Sequence, residues 1–167
     1  MNRTPTMPRL PATAQPDSFP RRAARLLLSG PASLTSTAAR WAVTLLAVAG
    51  AGLLVWSGVI HLQLWSDGYR SISVIGPLFL IQGIASIVLA VALVAFRRLV
   101  LLAAGAVLAV STAAGLLLSA GIGLFGYQES LAVPYAETSL AVEFTSAAVL
   151  AAAAVIVLAA PLLRRRS

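Results

Sequence analysis

The stretch that decides the fold reads IGPLFLIQGIASIVLAVALVAF (residues 75–96), RR (97–98) and LVLLAAGAVLAVSTAAGLLLSAGIGLF (99–125). Two arginines stand between apolar runs, each longer than the ~20 helical residues that cross a hydrocarbon core of about 30 Å at ~1.5 Å per residue. The runs lack the alternation of a barrel strand, and lipid satisfies no open backbone group, so each must span as a helix. Working outward, Arg40 to Asp67 leaves 26 uncharged residues and Glu143 to Arg164 leaves 20. The spacing predicts four transmembrane helices, at about Trp41–Leu64, Ile75–Phe96, Leu99–Phe125 and Leu140–Leu163. The fold class expected is an all-α membrane protein, a four-helix up-down bundle.

Composition agrees. The 167 residues are 59% hydrophobic and 10% charged, with a mean hydropathy of +0.92. A soluble domain clothes its surface with about 25% charged residues, so an ordinary soluble globule is excluded. There is no Cys, which removes disulfide frameworks, thiolate metal sites and thiol catalysis together. The net charge of +7 does not indicate nucleic acid, because no aromatic residues interleave with the arginines as a stacking platform.

The arginines read as topology instead. Arg3, Arg9, Arg21, Arg22, Arg25, Arg40, Arg97, Arg98 and Arg164–Arg166 fall on one side of the predicted spans, and Arg70 alone falls on the other with Asp67, Glu129, Glu137 and Glu143. With Asp17 on the basic side, the two faces carry +10 and −3. By the positive-inside rule both termini are expected in the cytoplasm, with the chain multi-pass in the cell membrane and Trp65, Tyr69, Tyr127 and Tyr135 at the outer interface.

Residues 1–39 hold six of the nine prolines among Thr, Ser and Arg, a composition expected to stay disordered. Within them Arg21, Arg22, Arg25 and Leu26–Leu28 fit a short interfacial helix, and the arginines suit contact with anionic lipid. Ala47-Val48-Ala49 loosely fits a signal cleavage site, but the apolar run continues past it, which favours an uncleaved first helix.

Helices in lipid meet through small residues. Ser111, Gly115, Ser119 and Gly123 recur every four residues on the third span. Gly50, Ser57 and Gly58 share a face on the first, Ser86 and Ala90 on the second, and Ala147, Ala151 and Ala154 on the fourth. These stripes are expected to be the bundle interface, with homodimerisation through one of them as the sharper alternative.

Three polar residues in the spans need a reason. His61, the only histidine, lies about 20 residues beyond Arg40 and one turn from Ser57 and Gly58. Glu143 lies at the same depth, one turn from Ala147, and Gln82 sits deeper, one turn from Ser86. With Arg70, Asp67 and Glu137 in the loops above, they form either a polar cap, in which Glu143 pairs with Arg70 or sits in the first turns of the fourth helix where the dipole favours an acid, or a site where His61 and Glu143 titrate together or ligate a metal with Glu137. One histidine among scattered carboxylates lacks the ligand spacing of a zinc site. No H-E-x-x-H, Walker or G-x-S-x-G motif occurs, and no span is broken by proline near the midplane as in secondary transporters.

The segments GVIHLQLWSDGYRSISVIG (58–76), followed by Leu78, Phe79 and Gln82, and GLFGYQESL (123–131), continuing through Pro134-Tyr135-Ala136 to Glu143, resemble the two outer hairpins of small four-helix integral membrane proteins of high-GC actinobacteria. The likeness covers residues 40–163, carries no activity or cofactor with it, and singles out the outer loops and helix ends. The role expected is a non-enzymatic accessory or interaction protein whose partners are the bilayer and a second copy or another membrane protein. The alternatives are a ligand- or metal-binding protein with an outward-facing His61/Glu143 site, and a membrane enzyme acting on lipid.

Overall fold

The computed structural model describes residues 19–132 and 135–163. Five α-helices follow one another: α1 (Phe19–Leu27), α2 (Thr37–Ser66), α3 (Ile75–Phe96), α4 (Leu99–Ile122) and α5 (Ala136–Leu163). Single 3-10 turns lie at Pro31–Ser33 and Tyr69–Ser71. Helices α2 to α5 are each long and apolar enough to cross a membrane, and no strand occurs among the described residues. The protein is thus an all-helical, multi-pass membrane protein in contact with lipid. Its outward surface suits that solvent, with Leu45, Ile81, Val88, Val91, Val107 and Val155 all exposed.

The spans match the sequence reading in number and order, and four of their ends differ, among them that of α2, which runs on to Ser66 and not Leu64. Helix α2 starts at Thr37 because Ser36 caps it, accepting a hydrogen bond from the Ala39 N–H at 3.4 Å. Helix α4 stops at Ile122, not Phe125, because Gly123 turns to φ 81° and the chain reverses over residues 124–127. There Leu124 and Tyr127 exchange backbone hydrogen bonds of 2.7 and 2.9 Å around Phe125 and Gly126, both at positive φ as a type I′ turn requires. Helix α5 begins at Ala136, not Leu140, so that Glu137 stands in its first turn, where the helix dipole favours an acid.

The segment expected as a disordered tail differs more. Residues 1–18 lie outside the described residues, but α1 covers Arg21, Arg22 and Arg25, and the chain after it packs onto the bundle. Leu34 is 2% exposed within the core, and its carbonyl accepts from Arg40 Nε at 2.8 Å. The Ser29 carbonyl accepts the Leu99 N–H at 2.8 Å, and that of Leu28 accepts from Arg98 at 2.7 Å. Ser29 therefore caps the start of α4, whose first N–H groups have no partner within their own helix, and Leu28 beside it holds Arg98. The α3–α4 connection is two residues long, Arg97 and Arg98, with Arg97 in the left-handed region.

Packing explains the order around the bundle. Helix α2 lies against α3 and α5, and α4 lies against α5, whereas α3 and α4 touch sparsely. At the α2–α3 seam a Cβ on Gly58 would come within 2.9 Å of the Gly83 carbonyl, and one on Gly83 within 2.6 Å of Leu62, so glycine on both sides lets the backbones close. Leu150 of α5, fully buried, fills the notch left by Gly50 of α2 and Gly105 of α4. The expected faces of α2 (Gly50, Ser57, Gly58) and α3 (Ser86, Ala90) are buried.

The α4 and α5 stripes are corrected. The buried residues of α4 are Leu99, Leu102, Gly105, Ala109, Ala113 and, of the expected stripe, Ser119, while Ser111 is exposed and a Cβ on Gly115 would meet nothing within 4 Å. On α5 the buried face runs through Val142, Ser146, Leu150, Ala153 and Val157; of the expected stripe Ala154 is buried with it, Ala147 is half-buried and Ala151 is exposed. Small residues permit a close approach; the larger Leu150 took the interface because Gly50 and Gly105 on neighbouring helices leave room for it.

Candidate functional site

The polar side chains toward the α2–α3 and α4–α5 connections fall into two groups, one inside the helix seam and one around a cavity. Ser57 organises the first. Its hydroxyl donates to the Glu143 carboxylate, and its backbone carbonyl accepts from His61 Nδ1 at 2.8 Å one turn later on α2. His61 and Glu143 thus converge on one residue, through different atoms. Glu143 is 1% exposed; its Oε2 and the Ser146 hydroxyl one turn along α5 have no hydrogen-bond partner among the described residues. Glu143 is held by Ser57 and not by Arg70, contrary to the polar-cap pairing. Arg70 and Glu137 are both exposed. No three His, Cys, Asp or Glu side chains are grouped to hold a metal among the described residues, so the His61/Glu143/Glu137 ligand set is not assembled. Gln82 donates to Ser86 on its own helix at 3.3 Å.

The second group was not singled out from the sequence. Gly76, at the start of α3, lies so close to the Tyr69–Ser71 turn that a Cβ there would meet the Tyr69 carbonyl at 2.7 Å. That contact sets the Tyr69 ring over Phe79, with centroids 4.7 Å apart and nearly parallel. Phe79 in turn meets the His61 ring at 5.2 Å. From the other hairpin, the turn after α4 folds Tyr127 edge-on against Tyr69, at 5.9 Å. It also returns Glu129 toward α4, where its N–H donates to the Ser119 carbonyl at 3.3 Å.

Glu129 is 9% exposed, and its carboxylate accepts the Tyr69 hydroxyl at 2.6 Å, the Tyr127 hydroxyl at 3.4 Å and the Ser130 N–H at 3.0 Å. Burial, then the hydrogen bond to this carboxylate, pushes the Tyr69 phenol above its ordinary pKa, so it stays a donor. Glycines flanking an aromatic and an acid in GLFGYQE were the available signal, but they mark a turn and not what the turn packs against.

Between α3 and α4, where the two helices stand apart, lies a cavity of about 230 Å³. Its upper wall is Tyr69, Tyr127, Glu129 and Tyr135. Its sides are His61, Phe79 and Gln82 on one hand and Ser111, Thr112, Gly115 and Ser119 on the other. The α4 stripe expected at a helix interface lines this space instead. Of the sequence candidates, His61 and Gln82 border the cavity, while Glu143, Arg70 and Glu137 do not. The cavity exceeds the ~150 Å³ that admits a benzene ring, and it mixes apolar walls with a few convergent polar groups, the character of a small-molecule site.

No family model matches the chain, and no curated protein and no solved structure is similar to it. The reading of function therefore rests on these residues.

Proposed function

We propose that this protein is a non-enzymatic, ligand-binding accessory protein of the cell membrane, an up-down bundle with both termini cytoplasmic and its cavity facing outward. The observation that carries it is the cavity of about 230 Å³ under Tyr69, Tyr127 and Glu129. A tightly packed bundle with a mere polar cap would have closed α3 on α4, as it closed α3 on α2. Catalysis is not favoured by the buried Ser–acid pair of the helix seam. Ser57 and Glu143 are each 1% exposed and do not line the cavity, so a lipid ester would have no route to the hydroxyl.

Filling the space tests the reading. Gly115 borders the cavity with nothing near its Cα, so Gly115→Phe projects a ring into it without touching the helix seams. Native mass spectrometry of protein extracted in mild detergent should show a bound small molecule in the wild type and none in Gly115→Phe, at equal thermal stability. A wild type that carries nothing, in several mild detergents and from native membranes, counts against the proposal. Orientation rests on the arginine distribution: a periplasm-active reporter fused after Asp67 or Glu129 should be active and one after Arg98 inactive, and the opposite pattern reverses the topology.

A further inference from the structure

Given that the cavity binds a ligand, its walls specify the charge of that ligand. Among the described lining residues Glu129 is the only acid, and no Arg borders the space. All the hydrogen bonds to the Glu129 carboxylate come from neutral donors, Tyr69, Tyr127 and the Ser130 N–H, and no cation partners it among the described residues. A buried carboxylate without a countercharge costs free energy that a cation brought beside it recovers. The same end of the cavity is lined by the rings of Tyr69, Phe79, Tyr127 and Tyr135, whose faces attract a poorly hydrated cation. Along its sides Ile75, Leu78 and Leu116 suit hydrocarbon, and Gln82, Ser111 and Thr112 border the end farthest from the loops.

We propose that the cavity takes a cationic amphiphile, its alkylammonium group beside Glu129 and the Tyr69 and Tyr127 rings, and its chain running down between α3 and α4. Anionic headgroups are rejected by Glu129, and neutral amphiphiles gain only the apolar part. The ammonium group has two sources, the headgroup of an amine-bearing membrane lipid or a soluble amphiphilic amine.

The test uses the full-length protein in a neutral detergent, titrated with hexyltrimethylammonium, hexanol and hexyl sulfate, and followed by calorimetry and by the rise of the unfolding midpoint that a bound ligand produces. Hexyltrimethylammonium should bind tightest and hexyl sulfate weakest. Glu129→Gln, which keeps an acceptor for the Tyr69 hydroxyl, should weaken the ammonium about tenfold and leave hexanol unchanged. Should Glu129→Gln fail to fold, Tyr127→Leu against Tyr127→Phe reads the ring alone: leucine should weaken the ammonium severalfold and phenylalanine should not. Nanodiscs with and without phosphatidylethanolamine then separate the sources. Competition by that lipid assigns the headgroup and its lack assigns a soluble amine, and either agrees with the proposal. Equal affinity for the ammonium and hexanol, or an ammonium affinity indifferent to both Glu129→Gln and Tyr127→Leu, overturns the cationic class while the cavity reading stands. Failure of all three probes to bind wild type, with Gly115→Phe also unchanged, overturns the cavity reading itself.

Discussion

Helix α3 has two neighbours and treats them in opposite ways. Against α2 it closes until the Gly58 and Gly83 backbones nearly touch; against α4, to which a two-residue connection ties it, it stands away and leaves the cavity. Glycine lies on both sides of this contrast. Gly58 faces a carbonyl and the Ile87 side chain, whereas Gly115 faces open space. A small residue in a span therefore has two uses, to admit a neighbouring helix or to leave room for something that is not a helix. What stands opposite decides which.

The largest effect should come from exchanging those roles. In Gly58→Val the new Cβ would lie 2.9 Å from the Gly83 carbonyl and from Ile87, and 3.3 Å from Ser86. The first obstacle is backbone, which cannot rotate aside, so a loss of about 1–3 kcal/mol is expected, seen as a lower unfolding midpoint in detergent. Gly115→Val meets nothing within 4 Å and should move the midpoint by only about 0.5 kcal/mol. Equal destabilisation by the two would mean that α4 closes on α3 in the membrane and that the gap is not a feature of the fold.

The same contrast shows what was legible in the sequence. The spans were, because a charge cannot be left in hydrocarbon and the intervals between charges measure the bilayer. His61 and Glu143 stand out by burial cost and by their small-residue neighbours, and both are buried and bonded to Ser57 through different atoms. The small-residue period on α4 was read correctly as a face and wrongly as a helix interface, because periodicity says which residues align and not what they meet. Glu129 was the least legible. It sits in a loop among polar residues, and its burial depends on a reversal at Phe125-Gly126 and on Tyr69, 60 residues earlier in the chain. Neither the strand-like exchange of hydrogen bonds in that turn nor the stacking of Tyr69 on Phe79 leaves a local pattern.

A smaller effect probes the open side. Tyr69→Phe keeps the ring over Phe79 and removes only the hydroxyl that donates to Glu129, a hydrogen bond to a charged acceptor in a half-buried setting. A loss of about 1 kcal/mol is expected, less than at Gly58. The phenol offers a sharper readout than stability. The chain has only three tyrosines, so few groups contribute to its tyrosinate absorbance. Because the folded state holds the Tyr69 proton more tightly than the unfolded chain does, its contribution is complete below the ordinary phenol pKa of about 10 and is lost as pH rises beyond it. The difference in tyrosinate absorbance between wild type and Tyr69→Phe isolates this residue, and its midpoint should lie above that of a free phenol. Glu129→Gln should draw that midpoint back part of the way, since burial is the larger cause and the carboxylate the second. A difference curve centred on the free-phenol value would mean that Tyr69 does not rest on Glu129. The wall from which the cavity draws its charge would then be absent.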